Sequence, residues 1–201
     1  MTVAECLDKH FSGKEIEAKY GKIYERHFAP IKDNPIRLLE LGVAHGASMR
    51  SWMDYFSYAN LIGFDQFTGP DGARVFETVG AELAGRGRLF KFNQSSRESI
   101  IQAIQFAGGE DGPFDVIIDD CSHYDHDQQI SLGILFKYLK FGGMYFIEDV
   151  CVSPDTRAVA ERFIGSGRFW SQHLSDQEND YVTENAVCTL ETPTLLLFKK
   201  K

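Results

Sequence analysis

The stretch Ile36-Arg37-Leu38-Leu39-Glu40-Leu41-Gly42-Val43-Ala44-His45-Gly46 decides the fold. A short, mostly apolar run ending at a glycine suits a strand buried on both faces. The small residues Gly42, Ala44 and Gly46 then let the backbone turn tightly and approach a ligand before a helix starts. Runs of the same kind recur at 61–65, 89–92, 114–119 and 143–148, with helical spacing at about 46–57, 73–84, 96–107 and 125–139. Strands alternating with helices of this length imply right-handed βαβ units and a parallel sheet covered on both faces. The end differs, because Thr192-Pro193-Thr194 separates two apolar runs, 186–191 and 195–199, that read as an antiparallel hairpin. The predicted class is therefore α/β, a doubly wound, mostly parallel seven-stranded sheet with a C-terminal antiparallel hairpin.

Upstream, Ile16, Tyr20, Ile23, Tyr24 and His27 fall at helical steps until Asp33-Asn34-Pro35 ends the pattern. No repeat or linker divides the chain, so residues 1–201 are expected to form one domain, with 1–34 a helical lead-in and 35–201 the core. Trp52, Phe56 and Phe136 lie at helical spacing and are assigned to the core. Phe11, Tyr20 and Tyr24 stay open between an acceptor pocket and packing against another subunit.

Composition bounds the function. The chain has 201 residues, 29 acids against 21 Lys and Arg, a formal charge of -8 and a pI near 5.2. That balance argues against an electrostatically driven nucleic-acid binder. No apolar run approaches the roughly 18 residues a membrane span needs, and the first 30 residues hold no signal-peptide core. Cys6, Cys121, Cys151 and Cys188 are widely spaced, which fits reduced thiols in a cytoplasm.

Ligands of an open α/β sheet sit beyond the carboxyl ends of its strands. Asp65, roughly 20 residues past the glycine loop, stands where an acid takes both hydroxyls of a ribose. No Gly-Lys-Ser/Thr follows the loop, and its spacing differs from a dinucleotide fingerprint. The fourth strand runs into Asp119-Asp120-Cys121-Ser122-His123 and the fifth into Glu148-Asp149. Adjacent parallel strands lie about 4.8 Å apart. Four carboxylates at one edge repel unless protonated or neutralised by a cation. A hard divalent ion is the natural neutraliser, and Mg²⁺ needs few protein carboxylates because it keeps waters. Asp120, Glu148 and Asp149 are the expected ligands, and His123 beside them the expected catalytic residue. Asp125 and Asp127 are expected only to start the next helix, and His45 and His126 to lie on the surface.

The run from Leu38 to Gly46, with Leu61–Asp65, resembles motifs I and II of class I S-adenosylmethionine-dependent methyltransferases, whose sheet also ends in an antiparallel pair. The resemblance implies that Gly42, Ala44 and Gly46 pass under the cofactor, that Glu40 orients the loop or cofactor, and that Asp65 takes the ribose hydroxyls. It places Asn93 and Gln94 in the adenine-contacting loop, and Asp119 is counted with them on the cofactor side. Ala44 replaces the usual middle glycine, and Asn93 stands where Asp is frequent.

The pattern Ile117–His123 followed by Gly142–Asp149 resembles a narrower family, the metal-dependent sugar O-methyltransferases of the macrocin and mycinamicin type. That likeness implies Mg²⁺ on Asp120, Glu148 and Asp149, His123 as general base, and a small hydroxylated acceptor such as a sugar or glycoside. Cys121 stands where Gly is usual, and the family's Thr-Asp-Lys segment is not evident in residues 10–15. The short accessories, about 35 N-terminal residues and 151–185, leave room for a neighbouring subunit to complete the pocket. Three rival readings stay open: an O-methyltransferase of catechols, a metal-dependent hydrolase built on Asp119, Asp120, His123 and His126, and a non-catalytic cofactor-binding relic.

Overall fold

The computed structural model describes residues 1–16, 20–108, 112–150, 152 and 154–201, the side chains of 15 and 16 excepted. Cys151 and the Ile16 side chain lie outside the described residues. The chain divides into two compact units, Met1–Lys91 and Phe92–Lys201.

In the first unit α1 (Val3–Lys9), α2 (Gly13–Ile16) and α3 (Gly21–Phe28) precede β1 (Arg37–Leu41). There follow α4 (Ala47–Tyr55), β2 (Asn60–Asp65), α5 (Gly72–Glu82) and β3 (Gly87–Lys91). β1 pairs in parallel with β2, and β2 with β3, so that Glu40 lies level with Gly63 and Gly63 with Leu89. The N-terminal segment is helical but broken. Thr2 Oγ1 accepts the Glu5 N–H while the Glu5 carboxylate accepts the Thr2 N–H, a reciprocal cap that starts α1. Phe11, at φ 56°, breaks the helical path after α1 and is exposed. Tyr20 and Tyr24 are fully buried and belong to the core. Tyr24 stacks on Phe28 with ring centroids 4.9 Å apart, and both meet Trp52 edge-on at 5.4 and 5.7 Å. Trp52 and Phe56 are core residues, as their spacing predicts.

The second unit contains α6 (Arg97–Phe106), β4 (Phe114–Asp119), α7 (Asp125–Leu135) and β5 (Leu139–Ile147). It continues with α8 (Pro154–Ser166), α9 (Asp176–Asn185), β6 (Ala186–Thr192) and β7 (Leu195–Lys200). Every residue of β4 is buried, Asp115 and Asp119 included, and its apolar centre Val116-Ile117-Ile118 is what marks it in the sequence. β4 and β5 are parallel, whereas β5 runs antiparallel to β7, and β7 to β6. The strand order β3-β2-β1-β4-β5-β7-β6 is that of a mostly parallel seven-stranded sheet with the antiparallel hairpin at its end, as expected. β5 starts earlier than its sequence suggests. Gly142 at φ 73° and a register shift between Phe114 and Val116 mark a bulge there, and glycines inside a strand mask its beginning. α8 and α9 were not foreseen, because their polar stretches hide the narrow faces that bury Val159, Phe163 and Val182. Phe136 is buried, and the Lys200 ammonium donates to the carbonyls of Lys137 and Leu139 at 3.1 and 2.7 Å.

Among the described residues, Cys6, Cys121 and Cys188 are in no disulfide. Among the described residues no helix is long and apolar enough to cross a membrane.

Two glycines make opposite stability predictions. A Cβ on Gly87 would stand 2.1 Å from the Leu61 carbonyl oxygen, whereas one on Gly80 meets nothing within 4 Å. Gly87→Ala should destabilise the protein by about 1–3 kcal/mol, since the obstacle is backbone. Gly80→Ala, inside α5, should stabilise by about 0.5–1 kcal/mol. Urea midpoints of the two variants check both signs.

Candidate active site

The glycine loop leaves β1 at Glu40-Leu41 and enters α4. Gly42 and Gly46 adopt φ values of 90° and 80°. A Cβ on Gly46 would meet Val79 Cγ2 at 2.5 Å, so both backbone and space require glycine there. Ala44 also lies in the left-handed region, at φ 46°, which costs an L-residue roughly 1–2 kcal/mol. The Asp65 carboxylate holds this conformation. Its Oδ2 accepts the Val43 and Ala44 N–H groups at 2.9 Å each, and its Oδ1 accepts the Phe67 N–H at 2.8 Å. Hydrogen bonds to a charged acceptor are worth about 1.5–3 kcal/mol each, so together they outweigh the strain at Ala44. Asp65 was expected to meet a ribose. Its carboxylate first organises the loop, and it also lines a pocket of about 190 Å³ with Ala44, His45, Phe67 and Val75.

Glu40 is fully buried. Its Oε2 accepts the Ser48 hydroxyl at 2.8 Å, and its Oε1 lies 3.3 Å from the buried Lys14 ammonium. Of the two roles expected for Glu40, this geometry serves the orientation of the loop. Lys14 was missed by sequence reasoning. A lysine in a helical, polar segment carries no signal of burial.

In the second unit Gln94 is the central strut. Its amide donates to Asp119 Oδ1 at 2.8 Å and to Ser131 Oγ at 3.1 Å, and its Oε1 accepts the Ser122 N–H at 2.9 Å. Asp119, expected on the cofactor side, is fully buried, and its oxygens face Gln94 and the Tyr145 hydroxyl. Burial pushes the Asp119 carboxyl up to about 8, against the Gln94 hydrogen bond, and the neighbouring Asp120 charge acts in the same upward direction. The shift favours the uncharged carboxyl over the carboxylate at this buried position. Asn93 braces its own turn, accepting the Ser95 N–H at 3.1 Å through Oδ1 and donating its N–H to Ser99 Oγ at 2.9 Å.

Asp127 departs from the bland expectation. It lies in the first turn of α7, but the N-cap is Tyr124, without a side-chain cap. Buried Asp127 Oδ2 instead accepts the Ser95 and Ser122 hydroxyls at 2.9 and 2.8 Å, and its Oδ1 lies 2.9 Å from His126 Nδ1. Gln94 and Asp127 thus grip Ser122 by its backbone and its side chain. An acid in a first turn has the same spacing whether it caps or cross-links, so sequence could not separate these roles. Asp125 accepts the Thr156 N–H at 2.6 Å.

What this frame presents is a trio. Asp120, His123 and Asp149 each offer one ligand atom, all within 4.8 Å of one another. His123 Nε2 lies 3.8 Å from Asp120 Oδ1 and 3.9 Å from Asp149 Oδ2. His123 and Asp149 both adopt positive φ, 59° and 56°, a strained state that persists only where the surroundings over-determine it. Glu148 is buried beside Asp149 and is not part of the trio. The Glu148 backbone is fixed at both ends, its N–H donating to the Asp119 carbonyl at 2.9 Å and its carbonyl accepting from Gln128 at 3.0 Å. Two carboxylate oxygens suit a hard divalent cation, and the imidazole adds either a ligand or a base.

A family profile described as a methyltransferase domain matches residues 39–150, from the start of the glycine loop to just past Asp149. The chain is 34% identical over 137 residues to L-olivosyl-oleandolide 3-O-methyltransferase of Streptomyces antibioticus, covering 65% of this chain and 32% of the relative. It is 31% identical to mycinamicin VI 2''-O-methyltransferase of Micromonospora griseorubida, over 63% of this chain and 30% of the relative. The chain thus spans about a third of the length of these relatives. A methyltransferase from the mycinamycin biosynthetic pathway, solved with Mg, SAH and mycinamycin VI, shares the fold at a TM-score of 0.77 and 22% identity, covering 100% of this chain and 53% of that one. The glycine loop, the acid-ended strands and more than half of the chain fall within one profile, and the chain belongs to the methyltransferase-domain family.

Proposed function

We propose that this chain is the catalytic unit of an S-adenosylmethionine- and Mg²⁺-dependent O-methyltransferase that acts on a hydroxyl of a sugar or glycosylated natural product. The observation that carries the reading is the meeting of Asp120, His123 and Asp149 within 4.8 Å, in a chain of the methyltransferase family whose relatives are named for O-methylation of glycosides. Gly42, Ala44, Gly46 and Asp65 of the first unit would contact the cofactor; in the second unit, Asn93 and Gln94 are the candidates that the family resemblance names for adenine.

The donor set fits Mg²⁺, because two of the three converging side chains are carboxylates. Asp120 and Asp149 would hold the ion, with Glu148 as the third expected ligand. Bound there, Mg²⁺ supplies Lewis-acid chemistry that orients vicinal hydroxyls and lowers the pKa of one of them. His123 would serve as the base that accepts the proton of the acceptor hydroxyl when that oxygen is methylated. The strained backbone at His123 and the grip on Ser122 fix the imidazole beside the carboxylates, which favours near-attack geometry.

Transfer of labelled methyl from S-adenosylmethionine to a panel of diol sugars, glycosides and catechols tests the reading. Methylation of sugars or glycosides supports it, and turnover of catechols alone overturns the acceptor class. Exhaustive chelation should abolish transfer and added Mg²⁺ restore it; activity that survives chelation refutes the metal. His123→Ala should lower kcat by roughly 10²–10⁴-fold, the usual contribution of a general base, while SAH affinity by calorimetry stays unchanged. Asp120→Ala and Asp149→Ala should each weaken Mg²⁺ binding by about 10-fold or more.

A further inference from the structure

Lys14 has no part in the reaction described so far, yet its side chain is buried, with relative exposure of 3%, and faces a Glu40 side chain of relative exposure 0%. Lysine and glutamate are almost never fully buried unless paired. A buried ion pair adds little net stability over an apolar pair of the same volume. What it does supply is direction, because the carboxylate oxygens are fixed toward particular partners. Here one Glu40 oxygen is turned to Lys14 and the other to Ser48, the second residue of α4. The Lys14 backbone is pinned as well. Its carbonyl accepts the Tyr20 N–H at 2.7 Å, and the Ser12 N–H donates to the Leu7 carbonyl at 2.9 Å. Tyr20 is itself fully buried.

We infer that Lys14 is a positioning residue for the glycine loop: its ammonium holds Glu40, and through Ser48 the start of α4, in the arrangement that receives the cofactor. The N-terminal segment thereby becomes part of the cofactor site. This inference rests on reading residues 40–46 as the cofactor loop.

Amide hydrogen exchange and SAH calorimetry on Lys14→Met, Glu40→Gln and the double variant test it. In Lys14→Met, amides from 42 to 48 should exchange about 10-fold faster and SAH should bind about 10-fold more weakly, because buried Glu40 loses the Lys14 counter-charge that directs one of its oxygens. Peptides from β4 and β5 should exchange as in the parent. In the Glu40→Gln background the same Lys14→Met change should move both readouts by less than about 2-fold, the signature of coupling through one contact. Unchanged loop exchange in Lys14→Met, or an equal change in both backgrounds, overturns the inference. If Lys14→Met fails to fold, recovery of folding in the double variant supports it, and failure of both variants to fold overturns it by making the pair purely structural. Absence of SAH binding by the parent protein removes the cofactor reading, and loop exchange alone then decides the role of Lys14.

Discussion

A single carboxylate, that of Asp65, accepts three backbone N–H groups from two loops, and the first half of the site depends on it. Ala44 occupies a backbone region that glycine enters freely and alanine does not. Without a compensating acceptor the turn after β1 would relax toward extended or right-handed conformations, and α4 would start elsewhere. Asp65 can do this because β2 ends beside β1, with Leu41 level with Phe64. Sheet register thus sets the position of the carboxylate, and the carboxylate sets the loop.

The second unit solves the same problem with different residues. His123 and Asp149 are strained, and the frame that keeps them so is a buried polar network rather than one acceptor. Gln94 bridges Asp119, Ser131 and Ser122, while Asp127 bridges Ser95, Ser122 and His126. Such networks rigidify only when their members are satisfied. Asp119 belongs to this network: burial raises its carboxyl, while the hydrogen bonds from Gln94 and Tyr145 act in the opposite direction.

Much of the fold was legible because buried parallel strands write themselves as short apolar runs ended by small residues, and β1, β2 and β4 do so plainly. The start of β5 was not legible, since Gly142 and Gly143 interrupt its pattern, nor were α8 and α9, whose apolar faces are narrow. Among candidate site residues, Asp120, His123 and Asp149 could be found because they follow the ends of adjacent strands, but the same reasoning also picked Glu148, which lies outside the trio. Lys14 and Asp127 could not be found in the same way. Their roles depend on which distant groups they face once packed, and one-dimensional spacing carries no trace of Glu40 opposite Lys14 or of Ser95 opposite Asp127. Asp65 was legible as a residue but not in its full task, because a carboxylate that meets a ligand and one that braces a loop occupy the same place in sequence.

The alanine in the left-handed turn has a thermal consequence. Local opening begins where strain is stored and hydrogen bonds are partly solvated, and at Ala44 a left-handed backbone meets an exposed N–H bond to Asp65. Warming therefore loosens this loop while the buried strands beneath it remain paired. Any ligand that stiffens the turn would be expected to stabilise this loop before the strands beneath it.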